Sequence, residues 1–236
     1  MARLPILMYH NVSQNERDGF GLTISKQNLE AQFKYLSDNN YKTYHFSELE
    51  SLKESNSLSK KAVIITFDDV YVSQLKLAYP LLQKYNLKAS FFIPFAYVNG
   101  VDDWNTASEP IMSVSQLQGL DLKAVELGLH SFSHQNYEKM TSDEVHEDFV
   151  KCQEFVQKHN LNVQNILAYP YGKYPKKTEF FNSLKANHIG YALRIGNRIN
   201  TFPFKNNYEI QRIDIKGEDS LLKFKLKLRL GKLKLF

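Results

Sequence analysis

Residues 62–94 of the chain read AVIITFDDVYVSQLKLAYPLLQKYNLKASFFIP. An apolar run rich in β-branched and aromatic residues (62–67) precedes a segment with helical periodicity (72–86) and a second apolar run (88–94). Because both runs are apolar without alternation, each strand is expected to be covered by helices on both faces, as in a parallel sheet. The stretch therefore predicts an α/β fold with parallel strands.

The same unit recurs along the 236 residues. Strands are predicted at 5–9, 41–46, 62–67, 88–94, 125–129, 165–169, 190–195 and 209–213. Helices are predicted at 26–39, 47–54, 72–86, 115–121, 141–159 and 175–188. About eight such units favour closure into a barrel over an open sheet, and no glycine-rich phosphate fingerprint follows the first strand. We therefore predict a single-domain barrel of seven or eight parallel strands over residues 1–219.

The composition supplies a large core, because 43% of the residues are hydrophobic and 16 are Phe. The single cysteine, Cys152, excludes an internal disulfide framework and a cysteine-based zinc cluster. It lies on the apolar stripe of the predicted helix 141–159, where we expect it to pack in the core. Charged residues interrupt every apolar run before about 18 residues, and residues 1–11 hold no signal-peptide core. We therefore expect a cytoplasmic protein.

The net charge of +5 is concentrated in a C-terminal tail, residues 220–236. The segment 221–236 carries six basic residues and no acidic ones, whereas the other 220 residues carry 24 bases and 25 acids. Such a balanced body predicts no nucleic-acid partner.

Polar side chains follow several of the predicted strands at their carboxyl ends. His10, the pair Asp68–Asp69, the segment 130–134 and the segment 170–172 each come directly after an apolar run. Because reactive groups of parallel α/β barrels gather at this end of the strands, all four are expected on one rim.

Asp68 and Asp69 admit two interpretations. Neighbouring residues in extended chain point in different directions, so one carboxylate can bind a metal while the other faces a reacting water. Alternatively, the pair caps the helix that follows, since a helix N-terminus favours negative charge.

His130 and His134 are four residues apart, which brings two imidazoles together on one helical turn. Two histidines and one carboxylate leave open positions on zinc for water and substrate, as a catalytic site requires. The same ligand set matches the facial triad of non-haem iron oxygenases, and a surface helix with two histidines is a third interpretation.

Three motifs in order resemble those of a known family: TFDD at 66–69, HSFSH at 130–134 and AYPYG at 168–172. They are similar to the first three motifs of the polysaccharide deacetylases, the NodB-homology group of carbohydrate esterases, and the likeness spans about residues 4–215. The resemblance implies a distorted (β/α) barrel and one divalent metal ion, with zinc expected first and cobalt, nickel or iron as alternatives.

The resemblance also implies roles for individual residues. Asp68 corresponds to the catalytic base, and Asp69, His130 and His134 correspond to the metal ligands. Tyr171 corresponds to the aromatic residue of the acetyl pocket, whose backbone N–H helps to bind the oxyanion, and Pro170 precedes it in the same motif.

The early MYH at 8–10 and the AYPYG form resemble the branch that de-N-acetylates poly-N-acetylglucosamine. An N-terminal histidine reaches the active site in that branch, and His10 is the matching residue and the candidate general acid. The alternative is a partly buried histidine whose ring is satisfied by the backbone.

Three departures from the family pattern stand against a fully active enzyme. Val70 replaces the usual glycine after the aspartate pair, and Ala168 replaces an arginine that orients the base. No late histidine is available as acid, since His188 falls at the wrong rim. These departures favour the alternative of a degenerate barrel that binds glycan or metal without turnover.

The function expected from these residues is metal-dependent removal of an N-acetyl or other N-acyl group from an amino sugar. The substrate is expected to be an N-acylated glycan or a lipid- or nucleotide-linked sugar. Trp104 and Asn105 in the loop 97–114 are candidate sugar contacts, with a loop anchor as the alternative for Trp104.

Basic and apolar residues of the tail alternate strictly between 223 and 230. Alternation by two places all the charge on one face of a strand, whereas it scatters both kinds around a helix. A strand or a disordered terminus is therefore expected here. The functional alternative is peripheral contact of residues 221–236 with an anionic membrane, at its inner face.

Overall fold

The computed structural model describes residues 2–231 of the chain. Its strands are β1 Ala2–Leu4, β2 Ile6–Tyr9, β3 Asn11–Ser13, β4 Thr23–Ser25, β5 Lys42–Thr43, β6 Ala62–Asp68, β7 Ala89–Ile93, β8 Val125–Leu129, β9 Val163–Ala168, β10 Tyr191–Ile195, β11 Asn200–Phe202 and β12 Ile210–Asp214. Its α-helices are α1 Lys26–Asp38, α2 Leu49–Glu54, α3 Tyr79–Lys84, α4 Val114–Gln118, α5 Ser142–Lys158, α6 Thr178–Ala186 and α7 Leu221–Leu230.

Seven parallel strands close into a barrel in the order β2, β12, β10, β9, β8, β7 and β6, and β6 pairs back with β2. The first and the last strands of the barrel are therefore neighbours, with Leu7 opposite Ile213. Helices connect most successive strands, as the repeated unit predicts, whereas only β11 lies between β10 and β12. The predicted (β/α) barrel in a single domain is confirmed, with seven strands.

The strand predicted at 41–46 is much shorter in the structure. Only Lys42–Thr43 pair with β6, outside the closed ring, and a 3₁₀ turn follows at Phe46–Glu48. This turn is fixed by the buried carboxylate of Glu126, which accepts hydrogen bonds from the backbone N–H groups of Phe46 and Ser47. A long-range acceptor on β8 thus ends β5 early.

Alternate residues of the barrel strands belong to two packed layers. Ile64 and Phe92 face the barrel interior, whereas Ile65 and Phe91 pack beneath the helices. Continued along β6, this period of two brings Asp68 to the interior at the carboxyl end of the strand. The barrel interior is thus a packed core. The polar residues lie at the carboxyl ends of the strands, which form the upper rim of the barrel.

Helix α5 is the longest helix and confirms the expectation for 141–159. Thr141 and Glu144 form a capping box at its N-terminus. Cys152 is fully buried on its inner face, as the apolar stripe predicts. No helix in residues 2–231 is long and apolar enough to cross a membrane.

The strand or disordered tail expected from residues 223–230 is wrong, because Leu221–Leu230 form helix α7. Ser220 caps this helix by accepting a hydrogen bond from the N–H of Lys223, and Leu, Lys and Arg are all good helix formers. Phe224 and Leu228 are buried on the face that packs towards α1. The expected division of the chain between 219 and 220 falls at this cap, and residues 232–236 of the tail lie outside the described residues.

Lys227 explains why the pattern of alternation conceals this helix. It occupies a core-facing position, is only 8% exposed, and its ammonium group bonds to the carboxylate of Asp219 and the carbonyl of Asp214. A buried ammonium group is tolerated when its donors are paired in this way. The basic residue that breaks the apolar stripe of α7 in the sequence is thus part of its buried face.

Candidate active site

One cavity of about 380 Å³ at the upper rim gathers most of the predicted site residues. Its lining includes His10, Asp68, Asp69, Trp104, Asn105, His130, His134, Tyr171 and Arg212. Pro170 is buried beside Tyr171 and does not line the cavity. His188 is exposed after the end of α6, away from this lining, as its position in the sequence predicts.

Asp69, His130 and His134 form a compact group that can hold a metal ion. Their ligand atoms lie within 4.8 Å of one another. Oδ1 of Asp69 is 3.5 Å from Nε2 of His130 and 3.4 Å from Nε2 of His134. Ligand atoms of a tetrahedral zinc site, with bonds of about 2.0–2.1 Å, are separated by about 3.3 Å. Oδ1 of Asp69 is also buried without a hydrogen-bond partner in residues 2–231, so these residues fit a divalent metal.

His130 is oriented by the backbone of the third motif. Its Nδ1 lies 2.8 Å from the carbonyl oxygen of Ala168, so Nδ1 carries the proton and Nε2 is left free to bind a metal. Burial disfavours the charged imidazolium, and this effect is larger than the attraction of the nearby Asp68 carboxylate. The pKa of His130 is therefore lowered to about 4. The ring is therefore neutral at physiological pH, as a metal ligand must be.

His134 is held between aromatic side chains of two loops. The indole of Trp104 stacks on its imidazole with ring centroids 4.4 Å apart, and the hydroxyl of Tyr171 is 3.3 Å from its Nδ1. Tyr171 has a left-handed backbone with φ of 59° in the turn Pro170–Gly172. The next residue, Gly172, is also left-handed, and an added Cβ would lie 2.9 Å from the backbone nitrogen of Ile195. The third motif thus depends on this glycine to bring Tyr171 to the site.

Asp68 is paired with a residue that sequence reasoning missed. The guanidinium of Arg212 donates to both carboxylate oxygens of Asp68, at 2.5 and 2.7 Å, and both side chains are buried. Burial raises the pKa of Asp68, but the charge of Arg212 and its hydrogen bonds outweigh this effect and hold the pKa well below the usual range. Asp68 is therefore a carboxylate, available to accept a proton.

Arg212 contacts the same aspartate that the resemblance assigns to the arginine replaced by Ala168. It lies in the predicted strand 209–213, and the period of two places it towards the barrel interior. The sequence signal that could have identified this residue is an arginine at a strand position that faces the barrel interior. A charge buried there needs a partner of opposite charge.

The turn after β6 accommodates a branched residue where glycine is expected. Asp69 and Val70 have φ of 76° and 46°, in the left-handed region that disfavours β-branched side chains. Their backbones are fixed from two sides, since the N–H of Asp69 donates to Phe92 and the carbonyl of Val70 accepts from Met112. Val70 is fully buried. The packing of its side chain therefore offsets the strain of the turn.

His10 reaches the cavity, with its Nε2 3.6 Å from Oδ2 of Asp68. Its Nδ1 is buried without a hydrogen-bond partner in the described part of the chain, so the backbone does not satisfy the ring. The side-chain amide of Gln74 bonds to the carbonyl oxygens of both His10 and Asp68, which ties the ends of β2 and β6 together.

Asp102 organises the loop that carries Trp104 and Asn105. Its fully buried carboxylate accepts hydrogen bonds from the backbone N–H groups of Ser108 and Glu109 and from the side-chain amide of Asn105. Asn105 is thus partly engaged within the loop, and its remaining carbonyl oxygen is the group free for a ligand.

Asp148 of α5 supports the loop between the two histidines. Oδ1 accepts a hydrogen bond from the N–H of Phe132 at 2.8 Å, and Oδ2 accepts one from the hydroxyl of Tyr137 at 2.6 Å. Ser131 and His134 flank this contact with positive φ values of 60° and 53°, so the loop is tightly curved. His130 and His134 are thus presented by a loop that a buried carboxylate holds, rather than by a turn of regular helix.

A family profile described as polysaccharide deacetylase matches residues 55–191, more than half of the chain. The closed barrel with polar residues at its rim is of the NodB type, and the chain belongs to the polysaccharide deacetylase family.

Individual relatives agree with this assignment. The putative polysaccharide deacetylase YxkH of Bacillus subtilis is 29% identical over 178 residues, which cover 75% of this chain and 60% of that protein. The poly-beta-1,6-N-acetyl-D-glucosamine N-deacetylase of Staphylococcus epidermidis is 24% identical over 205 residues, covering 83% of this chain and 69% of the relative. The chain thus spans only part of the length of these relatives.

Solved structures show the same fold. The Streptococcus pyogenes deacetylase PplD in complex with acetate has a TM-score of 0.79 at 22% identity, covering 96% of this chain and 98% of that one. IcaB from Ammonifex degensii has a TM-score of 0.78 at 20% identity, covering 97% and 98%.

Proposed function

We propose that the protein hydrolyses the N-acetyl group of amino sugars in an N-acetylated polysaccharide, with poly-N-acetylglucosamine as the substrate class. The observation that carries the proposal is the metal-binding group Asp69, His130 and His134 directly beside the ionised Asp68. The relatives named as poly-N-acetylglucosamine deacetylases support the choice of sugar.

The cofactor in this proposal is one divalent ion held by Asp69, His130 and His134, with zinc preferred and cobalt, nickel or iron as alternatives. When bound, such an ion polarises the acetamide carbonyl and lowers the pKa of a water molecule. The remaining chemistry is supplied by the side chains around it.

Asp68 is the general base in this proposal and accepts the proton of the attacking water. Each of its oxygens accepts one bond from Arg212 and keeps a second lone pair for that proton. Arg212 acts as a positioning residue, because two parallel bonds fix the plane of the carboxylate. The backbone N–H of Tyr171 is the proposed donor to the oxyanion that develops during attack.

His10 is the proposed general acid, which gives a proton to the departing amine. Its Nε2 lies 3.6 Å from Asp68, so the acid and the base border the same space. Its Nδ1 has no hydrogen-bond partner in residues 2–231.

Trp104, Asn105 and Tyr171 are the proposed contacts with the sugar, and Pro170 shapes the turn that presents Tyr171. All but Pro170 line the cavity. Aromatic rings at the mouth suit a pyranose, which offers an apolar face and a polar edge. A lipid- or nucleotide-linked sugar as the natural substrate, a cytoplasmic location and a membrane contact of residues 221–236 stay predictions from the sequence.

The alternative of a degenerate barrel without turnover loses much of its motivation in the structure. Arg212 donates two hydrogen bonds to Asp68 although Ala168 replaces the family arginine, and Val70 adopts the left-handed turn expected of glycine. The iron oxygenase alternative gives no role to Asp68, a buried base beside a complete ligand set.

The test is acetate release from N-acetylated glucosamine oligomers. Removal of metal with a chelator is expected to abolish release, and added zinc, cobalt or nickel to restore it. Asp68→Asn is expected to bind zinc normally and to lose at least about a hundredfold in rate, the contribution of a general base. Asp38→Asn, at an exposed carboxylate, is the control. Full activity of Asp68→Asn, or release that is indifferent to chelation, contradicts the proposal.

A further inference from the structure

Helix α7 packs with one face and leaves a stripe of leucines on the other. Leu222, Leu226 and Leu230 are spaced by four residues, so they lie on one side of the helix, and Leu226 in the middle is half-buried. Leu222 is 68% exposed and Leu230 is 62% exposed, although Phe224 between them is fully buried. The outer face of α7 thus presents large apolar side chains to solvent.

Three exposed arginines surround the C-terminal end of this stripe. Arg229 belongs to α7, Arg3 donates to the carbonyl oxygen of Arg229, and the backbone of Arg198 lies against Gly231. Within residues 2–231, none of these three guanidinium groups forms a salt bridge. Their charge is therefore available to an external anion.

We propose that the outer face of α7 docks on the surface of an anionic lipid bilayer. Leucines at the centre of a helix face enter the acyl boundary, while cations beside them bind lipid phosphates. The rest of the chain supplies no net attraction, because residues outside 221–236, which include Arg3 and Arg198, carry 24 bases and 25 acids.

The charge and the size of the surface argue against other occupants. In a symmetric pair of chains, the same patch would face itself and bring the unpaired arginines of both copies into one interface, which is repulsive. The helix has ten residues and is about 15 Å long, too short to bury the area of a stable dimer by itself. A nucleic acid offers phosphates to the arginines and nothing to the exposed leucines.

The buried side of α7 lies near the catalytic cavity, because the helix follows the cavity-lining residue Lys216 by one short turn. The carbonyl of Asp214, another lining residue, accepts a hydrogen bond from Lys227. The inference does not rest on the proposed function, since it depends only on the surface of α7.

Co-sedimentation of the full chain with vesicles tests the inference. Vesicles of phosphatidylcholine with 30 mol % phosphatidylglycerol are compared with pure phosphatidylcholine, in low and high salt. Binding to the anionic vesicles in low salt and release in high salt are expected. Leu222→Ser/Leu230→Ser is expected to weaken binding about tenfold or more. Arg198→Gln/Arg229→Gln is expected to weaken it about 25-fold in low salt, since each base near the surface contributes about fivefold.

Matched controls distinguish binding through the outer face of α7 from nonspecific binding to vesicles. Leu122→Ser removes an exposed leucine elsewhere, and Lys176→Gln/Lys177→Gln removes two exposed cations elsewhere. Both controls are expected to bind like the wild type, and all variants to keep the wild-type melting temperature and activity on soluble oligomers. Absence of binding by the wild type, equal binding by the leucine variant, or a leucine-dependent dimer in sedimentation equilibrium overturns the inference.

Discussion

The indole of Trp104 lies nearly parallel to the imidazole of His134, with an angle of 20° between the ring planes and 4.4 Å between their centroids. A second aromatic residue, Tyr97, contacts the indole edge-on at 4.6 Å. Trp104 therefore connects the loop after β7 with His134, a proposed metal ligand. The two interpretations of Trp104, as a sugar contact and as a loop anchor, predict different effects of its substitution.

Trp104→Ala is expected to raise KM for an N-acetylated oligosaccharide about tenfold and to change kcat less, because it removes an aromatic contact from the cavity. Trp104→Phe is expected to recover part of the loss. Steady-state kinetics and zinc titration measure the effect. A lower melting temperature with an unchanged KM would assign Trp104 to anchoring the loop.

Arg212→Met is expected to destabilise the protein by about 3–5 kcal/mol, because it leaves the carboxylate of Asp68 buried without its cation. The double variant Arg212→Met/Asp68→Asn is expected to regain much of this stability. Denaturant unfolding of the wild type, both single variants and the double variant gives the coupling energy. Additive effects of the two substitutions would show that the pair contributes nothing beyond its separate members.

Asp148→Leu is expected to weaken zinc binding about 10–100-fold, since the N–H of Phe132 loses the acceptor that holds the histidine loop. Asp148→Asn keeps an oxygen acceptor and is expected to bind zinc almost normally. Competition with a chromogenic chelator measures the affinity. Tyr137→Phe is the matched control, because it removes the other bond to Asp148. It is expected to lower stability without changing zinc affinity, and equal losses in both variants would argue against a specific role for the loop contact.

His10→Ala is expected to fold, to bind zinc and to lose about a hundredfold or more in kcat, the contribution of a general acid. His146→Ala, at an exposed histidine of α5, is the control. A His10→Ala protein that melts early but whose folded fraction is fully active would assign His10 to the core instead.

Phe224→Ala is expected to cost about 3–5 kcal/mol, because its side chain is fully buried beneath α7. Leu222→Ser, two residues away on the outer face, is expected to change stability by less than about 0.5 kcal/mol. Thermal or urea unfolding compares them. Equal costs would contradict a helix and restore the alternation of a strand.

Much of the barrel could be predicted from the sequence because its strands are apolar on both faces. Runs such as 62–67 and 125–129 bury every side chain, and their boundaries in the structure agree within a residue. The strand at 41–46 is shorter for a reason that lies on β8, where Glu126 recruits the backbone of Phe46. The residue pattern at 41–46 contains no information about a hydrogen-bond acceptor so distant in the sequence.

The candidate site likewise contains residues that the sequence predicts and residues that it does not. Asp68, Asp69, His130 and His134 stand in short motifs, so their juxtaposition follows from parallel strands ending at one rim. Arg212 stands in no recognised motif, and its importance depends on the barrel closing beside β6. The helical structure of α7 was hidden because a lysine occupies one of its core positions, which only the neighbouring Asp219 makes acceptable.

Closure of the barrel also determines when Asp68 and Arg212 can pair as the chain is synthesised. His10 precedes Asp68 in the chain, but Arg212 follows it by 144 residues and arrives with the last barrel strand. A nascent chain that lacks β12 holds a carboxylate aimed into the interior with no cation to meet it, so premature collapse around Asp68 is disfavoured. Domains dominated by such distant contacts fold slowly, because the ends must meet before the contacts stabilise them. The pair of Asp68 and Arg212 is therefore expected to form only after β12 has left the ribosome, and a chain that ends before β12 is expected to lack the proposed activity.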